Sequence, residues 1–417
     1  MATTPTSTGS SEPTSTGATT STPAEATAPP VGTTLVQASV TGSANVITNG
    51  RGFSIVDDAT SDANGSETDE SKVTTYNAAG QQLTEIPSAD LTGTCGAADV
   101  EVPHRGRLIL TELIANQPAE GVKPEVWSVS LKAWSAVSGA EVWSTTIVPT
   151  TEQQPSCHST AGQLESFAST EGGAWGVYGS GEPSAGGAKV LNLDTGAMVS
   201  GVKLDGVLGR YGAVVDSPPN GSTAYYTVDP ESGQTLGKTT ARIDVTSLLG
   251  LDTASSTPSG TSASYLSSDG QRLLGVVEEG HGSRAVAYSL PGFQILWTRP
   301  SREFYPRLVG DGGGVAIESV QAGSGKPAMI VGFNDKTGEQ EWTIPGNEPQ
   351  VCGITGTEMM LGINGQQAII DLKNGQQTSY SSGSCPSIIA GGIAVSGGSD
   401  GSSSEPQTLT VTQGLTP

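Results

Sequence analysis

Residues 332–346 read GFNDKTGEQEWTIPG, and this stretch predicts the fold more clearly than any other part of the chain. An apolar run leads into Asp335, Gly338 ends a short polar turn, and Trp342 follows in a second run. Asp, Asn or Ser at the first turn position and Gly at the fourth favour a type I turn followed by a left-handed residue. The stretch therefore predicts a β-hairpin that carries a tryptophan on its second strand.

Copies of this hairpin recur along the sequence. VSLKAWSAVSGAEVWSTTI repeats the four-residue step from Gly139 to Trp143, and AVAYSLPGFQILWTRP has a step one residue longer. For one copy we choose ARIDVTSLLG, ending at Gly250, over the competing YYTVDPESG, ending at Gly233. The steps between turn glycines average about 49 residues, which is the period of a four-stranded propeller blade. The predicted turn glycines are Gly80, Gly139, Gly196, Gly250, Gly292, Gly338 and Gly375.

Each period contains four short runs that read as strands, which we label A to D from the ring axis outward. The predicted fold is an all-β β-propeller of four-stranded blades. Beyond seven copies, PSIIAGG, GIAVSGG and QTLTVTQG fit strands A, B and C of an eighth blade, and TTLVQASV at 33–40 is a spare strand at the other end. Closing the ring with strands from both ends would remove exposed sheet edges. We favour eight blades, with seven as the alternative if the last remnant is irregular.

Composition divides the chain into a linker and one folded domain. Residues 1–33 are rich in Ser, Thr, Pro and Ala and contain no Lys, Arg or aromatic residue, so they cannot bury enough apolar surface to fold. We predict a disordered stalk over 1–33, a single propeller over 34–412 and a tail over 413–417. Stalks of this kind commonly separate a folded domain from a membrane anchor. We therefore expect a membrane segment that this chain does not contain, and a location outside the cytoplasm.

The charge of the chain limits its partners. The formal net charge is −22, with 19 Lys and Arg against 41 Asp and Glu. So few basic residues cannot cover a nucleic-acid footprint, and an anionic membrane surface is disfavoured for the same reason. We expect no nucleic-acid partner, and the sequence does not predict an oligomeric state.

The sequence contains no convincing catalytic or metal-binding pattern. Residues 397–401 match G-x-S-x-G, but they lie in a Gly- and Ser-rich loop rather than at a strand-to-helix turn. The acidic run at 57–71 lacks the spacing of an EF-hand loop. The three histidines, His104, His158 and His281, are isolated from any matched nucleophile. We expect no enzyme activity, no catalytic residue, no metal and no cofactor.

The four cysteines occupy the same position within their repeats. Cys95, Cys157, Cys352 and Cys385 each follow a turn glycine by 10 to 18 residues, which places them in D-to-A crossings just before an innermost strand. Cys95 and Cys157 enter consecutive blades, and so do Cys352 and Cys385. Spacing alone allows three pairings. Because the cysteines of each pair enter consecutive blades at the same position of the repeat, we favour disulfides Cys95–Cys157 and Cys352–Cys385. Two disulfides indicate an oxidising compartment.

One D-to-A crossing, WTRPSREFYPR at 297–307, is the best candidate for a binding site. It gathers three arginines with three aromatic residues, which are the residue types enriched at binding hot spots. Arginine can also bind carboxylate or phosphate groups through two parallel hydrogen bonds. The alternative is that the aromatic residues pack within and between blades while the arginines offset local acidity. The candidate binding residues are Arg299, Arg302, Phe304, Tyr305 and Arg307.

The strand order separates two faces of the ring. The B-to-C and D-to-A connections lie on one face, the long-loop face, and the A-to-B and C-to-D turns lie on the other, the tight-turn face. We expect the binding surface on the long-loop face, because long loops supply variety on a rigid scaffold.

The strand–D-x-x-[TN]-G-x-x-x-W pattern, best at Asp335 to Trp342 and next best from Val129 to Trp143, resembles the repeats of quinoprotein-like propellers of the PQQ type. The resemblance covers about residues 33–412 and implies a fold rather than a chemistry. Quinone-dependent dehydrogenases of that family use a calcium site, a vicinal cysteine pair and a tryptophan-rich cofactor cage. This chain has no adjacent cysteines and only six Trp, so it is more similar to the non-catalytic branch, whose members act as envelope scaffolds.

The stalk, the few lysines and the predicted disulfides also resemble ectodomains of membrane-anchored actinobacterial propellers, among them the corynebacterial receptor of a gephyrin-like cell-division protein. This resemblance implies a non-enzymatic extracytoplasmic receptor or scaffold for an envelope protein, in cell-wall growth or cell division. The first alternative is a binder or carrier of envelope glycolipid or saccharide, which exposed aromatic residues on the long-loop face would favour. The second alternative is a quinone-dependent or glycan-cleaving enzyme.

Overall fold

The computed structural model of the chain is a ring of eight four-stranded antiparallel sheets, which confirms the predicted propeller and its favoured blade number. Residues 1–29, which hold most of the predicted stalk, lie outside the described part of the chain. The structure describes residues 30–40, 44–57, 72–86, 94–120, 124–151, 167–170, 173–178, 189–199, 202, 204–216, 223–240, 264–267, 269–279, 282–300, 307–320, 328–346, 349–363, 365–382, 386–397 and 407–415.

The first strand, β1 (Thr34–Val40), belongs to the last blade, and the strands that follow build blades 1 to 4 in chain order. Blade 2 has the longest strands, of 9 to 12 residues. The strands are β2 (Ala44–Thr48), β3 (Gly52–Asp57), β4 (Lys72–Asn77) and β5 (Gln82–Ile86) in blade 1; β6 (Thr94–Val102), β7 (Gly106–Gln117), β8 (Val126–Ser135) and β9 (Glu141–Thr151) in blade 2; β10 (Phe167–Thr170), β11 (Gly173–Tyr178), β12 (Lys189–Asn192) and β13 (Met198–Val199) in blade 3; and β14 (Gly206–Leu208), β15 (Tyr211–Asp216), β16 (Ala224–Val228) and β17 (Thr235–Thr239) in blade 4.

Blades 5 to 7 continue the same order, and blade 8 closes the ring. Its strands A to C come from the end of the chain, and β1 pairs antiparallel with the last strand as strand D. The strands are β18 (Tyr265–Leu266), β19 (Arg272–Glu279), β20 (Gly282–Ser289) and β21 (Gln294–Pro300) in blade 5; β22 (Arg307–Gly312), β23 (Val315–Val320), β24 (Met329–Asn334) and β25 (Gln340–Pro345) in blade 6; β26 (Gln350–Thr355), β27 (Glu358–Ile363), β28 (Gln366–Asp371) and β29 (Gln377–Ser382) in blade 7; and β30 (Ser387–Ile389), a 3-10 turn (Ala390–Gly392), β31 (Ile393–Gly397) and β32 (Gln407–Gln413) in blade 8.

The hydrophobic core is divided among the interfaces between blades. Each cluster of buried apolar side chains in the described residues draws on two neighbouring blades; for example, one cluster joins Ile317 of blade 6 to Met359 of blade 7. Alternate side chains of a strand point to opposite faces of its sheet, so every sheet is covered by the next blade on each side. The ring is therefore held together by sheet-on-sheet packing around its circumference.

The C-to-D hairpins close with a side chain that caps the turn. In blade 6 the Asn334 side-chain oxygen accepts hydrogen bonds from the backbone N–H groups of Lys336 (3.0 Å) and Thr337 (3.1 Å), and Gly338 adopts a left-handed φ of 72°. The prediction of Asp335 at this first position is wrong by one residue, because the Asp335 carboxylate binds Arg272 instead. The residues that cap equivalent turns are Asn77, Asn192, Asp229 and Asp371.

In blades 2, 5 and 6, a tryptophan on the outer strand is hydrogen-bonded to the next blade. Trp342 of blade 6 donates its indole N–H to the Leu372 carbonyl of blade 7 at 2.5 Å. Its ring lies against Gly375, where an added Cβ would come within 2.8 Å of the indole. Trp143 and Trp297 make the same bond to the next blade, at 2.8 and 2.7 Å. In each of these pairs, the tryptophan ring of one blade packs on the turn glycine of the next blade.

Two of the predicted turn glycines are wrong. The C-to-D turn of blade 4 is at Gly233, with a φ of 69°, and Gly250 lies outside the described residues. In blade 5 the left-handed residue is Phe293 rather than Gly292. Phe293 precedes Trp297 by four residues, so the step that looked one residue too long from Gly292 is the same as in the other copies.

The capping aspartate of blade 4 gives a test of these turns. Asp229 accepts the Ser232 backbone N–H at 2.8 Å and the Ser232 hydroxyl at 2.9 Å, and these hydrogen bonds, the backbone one first, lower the pKa of Asp229. Because the pKa is lowered in the folded state, the stabilisation is present above the unfolded pKa and is lost as pH falls through the folded one. We expect an NMR carboxyl titration of Asp229 to have a midpoint below about 3.9. Ser232→Ala should raise that midpoint, and an unchanged midpoint would contradict the capping role.

Candidate functional site

Arg299, the first of the predicted binding residues, is packed between blades 5 and 6. Its guanidinium carbon lies 4.5 Å from the centroid of the Phe333 ring, and its Nη2 is 3.7 Å from Oε2 of the buried Glu318. Only 13% of the Arg299 side chain is exposed, so it contributes to the blade interface. Of the other candidates, Arg302, Phe304 and Tyr305 lie outside the described residues, and Arg307 begins β22 with its side chain outside them. Binding by this crossing stays a prediction.

A second arginine crosses the same interface from the tight-turn side. Arg272 donates to Asp335 Oδ2 from Nε at 3.1 Å and from Nη2 at 2.7 Å, and it also contacts Asp269 at 2.9 Å. Burial alone would lower the pKa of Arg272, but the hydrogen bonds and charge of Asp335 outweigh it and raise the pKa above its ordinary value. Asp335 is fully buried, so this pair ties blade 5 to blade 6 rather than facing a ligand.

Two of the four cysteines lie further along the repeat than predicted. Cys95 is inside β6 and Cys352 is inside β26, so both belong to innermost strands rather than to the crossings before them. Cys352 is disulfide-bonded, and no free thiol occurs in the described residues. Cys157 and Cys385 lie outside those residues, so the two predicted pairings stay predictions.

Most of the remaining sequence features lie outside the described residues, so the expectation of no catalytic or metal site stays a prediction. His104 is exposed in the A-to-B turn of blade 2, and His158 and His281 lie outside the described residues, as do 58–71 and 398–401. Within the described part of the chain, no three His, Cys, Asp or Glu side chains are grouped so as to bind a metal ion. No helix there is long and apolar enough to cross a membrane.

A row of exposed apolar side chains follows the outer wall of the ring near the tight-turn face. We call it the apolar arc, and it holds every large apolar side chain that is exposed in the described residues. The row covers the four consecutive blades 2 to 5, and each residue lies in or just after a C-to-D turn. Its members are Val137, Met198, Leu236, Ile295 and Leu296.

A β-bulge accompanies two of these side chains. In blades 4 and 5 the outer strand has a β-bulge, and Leu236 and Leu296 are the extra residues that lack a partner on strand C. A bulged residue is left out of the strand pairing. Blade 6 has the same bulge with Glu341 at the extra position, so an apolar residue is not a requirement of the geometry. The bulge therefore does not by itself require the apolar residues of blades 4 and 5.

Blade 2 carries a second distinct surface on the long-loop face. Its hairpin of β7 and β8 continues to Gln117, which pairs with Val126, and the end of β7 from Asn116 onward is exposed. A groove of about 660 Å³ opens at this end, lined by residues 116–120, Pro124 and Val126. We call this region the blade 2 extension. The sequence shows no sign of the groove, because the groove depends on how the hairpin ends.

Comparison with known proteins shows the fold alone. No protein-family profile matches the chain, and no curated protein matches it. Among solved structures, BamB from Moraxella catarrhalis is 14% identical with a TM-score of 0.43, covering 91% of this chain and 97% of that one. The computationally designed Ika8 protein is 13% identical (TM-score 0.45, 91% and 99% covered), and the Dos1 propeller is 9% identical (TM-score 0.44, 92% and 95% covered). Likeness at these levels carries no argument about function.

Proposed function

We propose that this chain is a non-enzymatic, extracytoplasmic scaffold or receptor that binds a protein partner at the envelope. The observation that carries the proposal is the apolar arc. Single exposed apolar residues are normal on soluble proteins. We infer an interaction surface because such residues recur at the C-to-D turns of four consecutive blades. An enclosed ring of sheets gives such a row the rigidity that a binding surface needs.

The extracytoplasmic location is supported by the disulfide at Cys352. Disulfides persist in oxidising compartments and are rare in the cytosol of most cells. The Ser- and Pro-rich segment before the ring supports a tether to the membrane. The resemblance to actinobacterial membrane-anchored propellers extends the proposal to cell-wall growth or cell division.

The partner is expected to be a protein with a complementary apolar surface. Ile295 is 61% exposed and Val137 is 55% exposed, so burying them in a complex would remove apolar area from water. Fully burying a side chain of this size is worth about 1.5–3 kcal/mol. At the equivalent positions of blade 6, the exposed residues are Gln340 and Glu341, so the surface does not continue there.

The test is cross-linking and co-purification of the full-length protein from its own cells. We expect the double variant Ile295→Ser/Leu296→Ser to recover at least tenfold less partner than the unchanged protein. The matched control is Gln340→Ser/Glu341→Ser at the same positions of blade 6, which should recover the partner normally. All four residues are exposed, so folding should be unaffected in both variants. Equal recovery by the two variants would refute the role of the arc.

A further inference from the structure

Met198 differs chemically from the other members of the apolar arc. The other four are valine, leucine and isoleucine side chains, which peroxides leave unchanged at neutral pH. Met198 carries a thioether, which a peroxide converts to the polar methionine sulfoxide. It lies on the outer strand β13 of blade 3, between the arc residues of blades 2 and 4. One member of the arc can therefore change its polarity by a covalent reaction.

Exposure makes Met198 the preferred target among the described methionines. The residue is 46% exposed, whereas Met359 and Met360 in strand B of blade 7 are 0% exposed. Met329, at the start of strand C in blade 6, is half-buried, and Met1 lies outside the described residues. The oxidant must reach the sulfur atom, so susceptibility follows exposure. We expect Met198 to react before the other three.

The turn that precedes Met198 is packed against blade 2. The Thr145 hydroxyl of blade 2 donates to the Gly196 carbonyl, and a Cβ added at Gly196 would come within 2.6 Å of the Trp143 ring. Met198 itself is directly opposite Leu191, which is 1% exposed at the interface of blades 2 and 3. Oxidation would therefore add a polar oxygen at a defined place on the arc.

No free thiol occurs in the described part of the chain, so a peroxide meets no more reactive sulfur there. We propose that Met198 is a site of reversible oxidation that regulates partner binding at the apolar arc. Its effect on the partner rests on the proposed function, whereas the reaction of the thioether does not.

Both directions of the reaction are balanced. With hydrogen peroxide, the O–O bond breaks and an S–O bond forms. The Met198 sulfur is oxidised by two electrons, and the second peroxide oxygen leaves as water. In the reverse direction, a sulfoxide reductase uses two thiols, which are oxidised to a disulfide while the sulfoxide oxygen leaves as water.

The reaction is measured on the purified chain with hydrogen peroxide as the probe. Peptide mass spectrometry over time should show Met198 oxidised at least about tenfold faster than Met359 and Met360. Methionine sulfoxide reductases A and B with dithiothreitol should then restore the thioether. Oxidation of Met198 no faster than that of the two buried methionines, or a sulfoxide that the reductases leave unreduced, would overturn the proposal.

The effect on binding is measured by incubating the oxidised and the untreated chain with an extract of its own cells. Oxidation of the unchanged chain should lower the amount of partner recovered about threefold or more, because a polar group replaces an apolar one. Met198→Gln should lower the recovery without peroxide. The matched control is Met198→Leu, which keeps an apolar side chain of similar size and should recover the partner equally before and after peroxide.

The outcomes separate this proposal from the role of the arc itself. If peroxide lowers recovery equally in Met198→Leu, or leaves recovery by the unchanged chain as it was, the regulation is wrong. The arc still stands in that case, provided that Ile295→Ser/Leu296→Ser loses the partner. If that double variant recovers the partner normally, the arc and its regulation are both wrong.

Discussion

Trp342→Ala is expected to lower the free energy of unfolding by about 3–5 kcal/mol, the usual cost of removing a buried tryptophan. Trp342 is 8% exposed and packs in the apolar cluster that blades 6 and 7 share. The substitution would also leave the Leu372 carbonyl without the indole N–H that it accepts at 2.5 Å. Gly332, opposite Trp342 on strand C, has no side chain that could fill the gap.

Denaturant titration followed by circular dichroism measures this loss. Trp127→Ala is the matched control, since it removes the same side chain from a half-exposed position without an inter-blade hydrogen bond in the described contacts. We expect the control to lose about 1 kcal/mol or less. Similar losses of unfolding free energy in the two variants would show that the packing of Trp342 on Gly375 does not stabilise the interface.

Arg107→Leu is expected to cost about 3–5 kcal/mol, because it leaves a buried carboxylate without its counter-charge. Arg107 Nε donates to both Asp99 oxygens, at 2.9 and 3.0 Å, and its Nη2 also binds Asp99. The same guanidinium reaches blade 1, donating to the Ser54 hydroxyl at 2.9 Å and the Tyr76 carbonyl at 2.5 Å. Asp99 is 0% exposed, so water cannot replace the arginine.

The pH dependence of the Arg107→Leu variant has a defined sign. Burial raises the pKa of Asp99, while the hydrogen bonds and charge of Arg107 act against that rise. Without the arginine the folded pKa rises further, so the neutral acid is favoured and the variant gains stability as pH falls through that pKa. We expect its deficit against the unchanged protein to be smaller at pH 5 than at pH 7. Asp99→Asn/Arg107→Leu should lose less than Arg107→Leu at pH 7, and equal losses would refute the charge argument.

Fold and blade number were predictable because the hairpin signal is local. The residues from Asn334 to Trp342 lie within one hairpin, and their turn and strand preferences act over a few residues. The prediction failed in blade 4, where Gly237 occupies the place of the tryptophan; a Cβ there would be 1.9 Å from the Pro291 carbonyl oxygen. In that blade the Thr227 hydroxyl donates to the Pro291 carbonyl instead, at 2.6 Å. A threonine does not stand out in a strand sequence as a tryptophan does, so this copy of the repeat could not be recognised.

The roles of charged and surface residues were not predictable in the same way. Asp335 looked like a turn residue, yet it pairs with Arg272, 63 residues away, and only the ring brings the two together. The apolar arc did leave a sequence signal, since Leu236 and Leu296 each come just before the tryptophan position. Such a residue is ordinary in a strand pattern, and it is recognised as exposed only once the bulge is known.

The closing blade fixes when the ring can be completed during synthesis. Strand β1 is among the first parts of the domain to be made, but its pairing partner, β32, is made last. Until β32 is made, β1 lacks its pairing partner, and an unpaired strand edge can pair wrongly. Blade 8 therefore cannot be completed, and the ring cannot close, before the last strand of the domain is available.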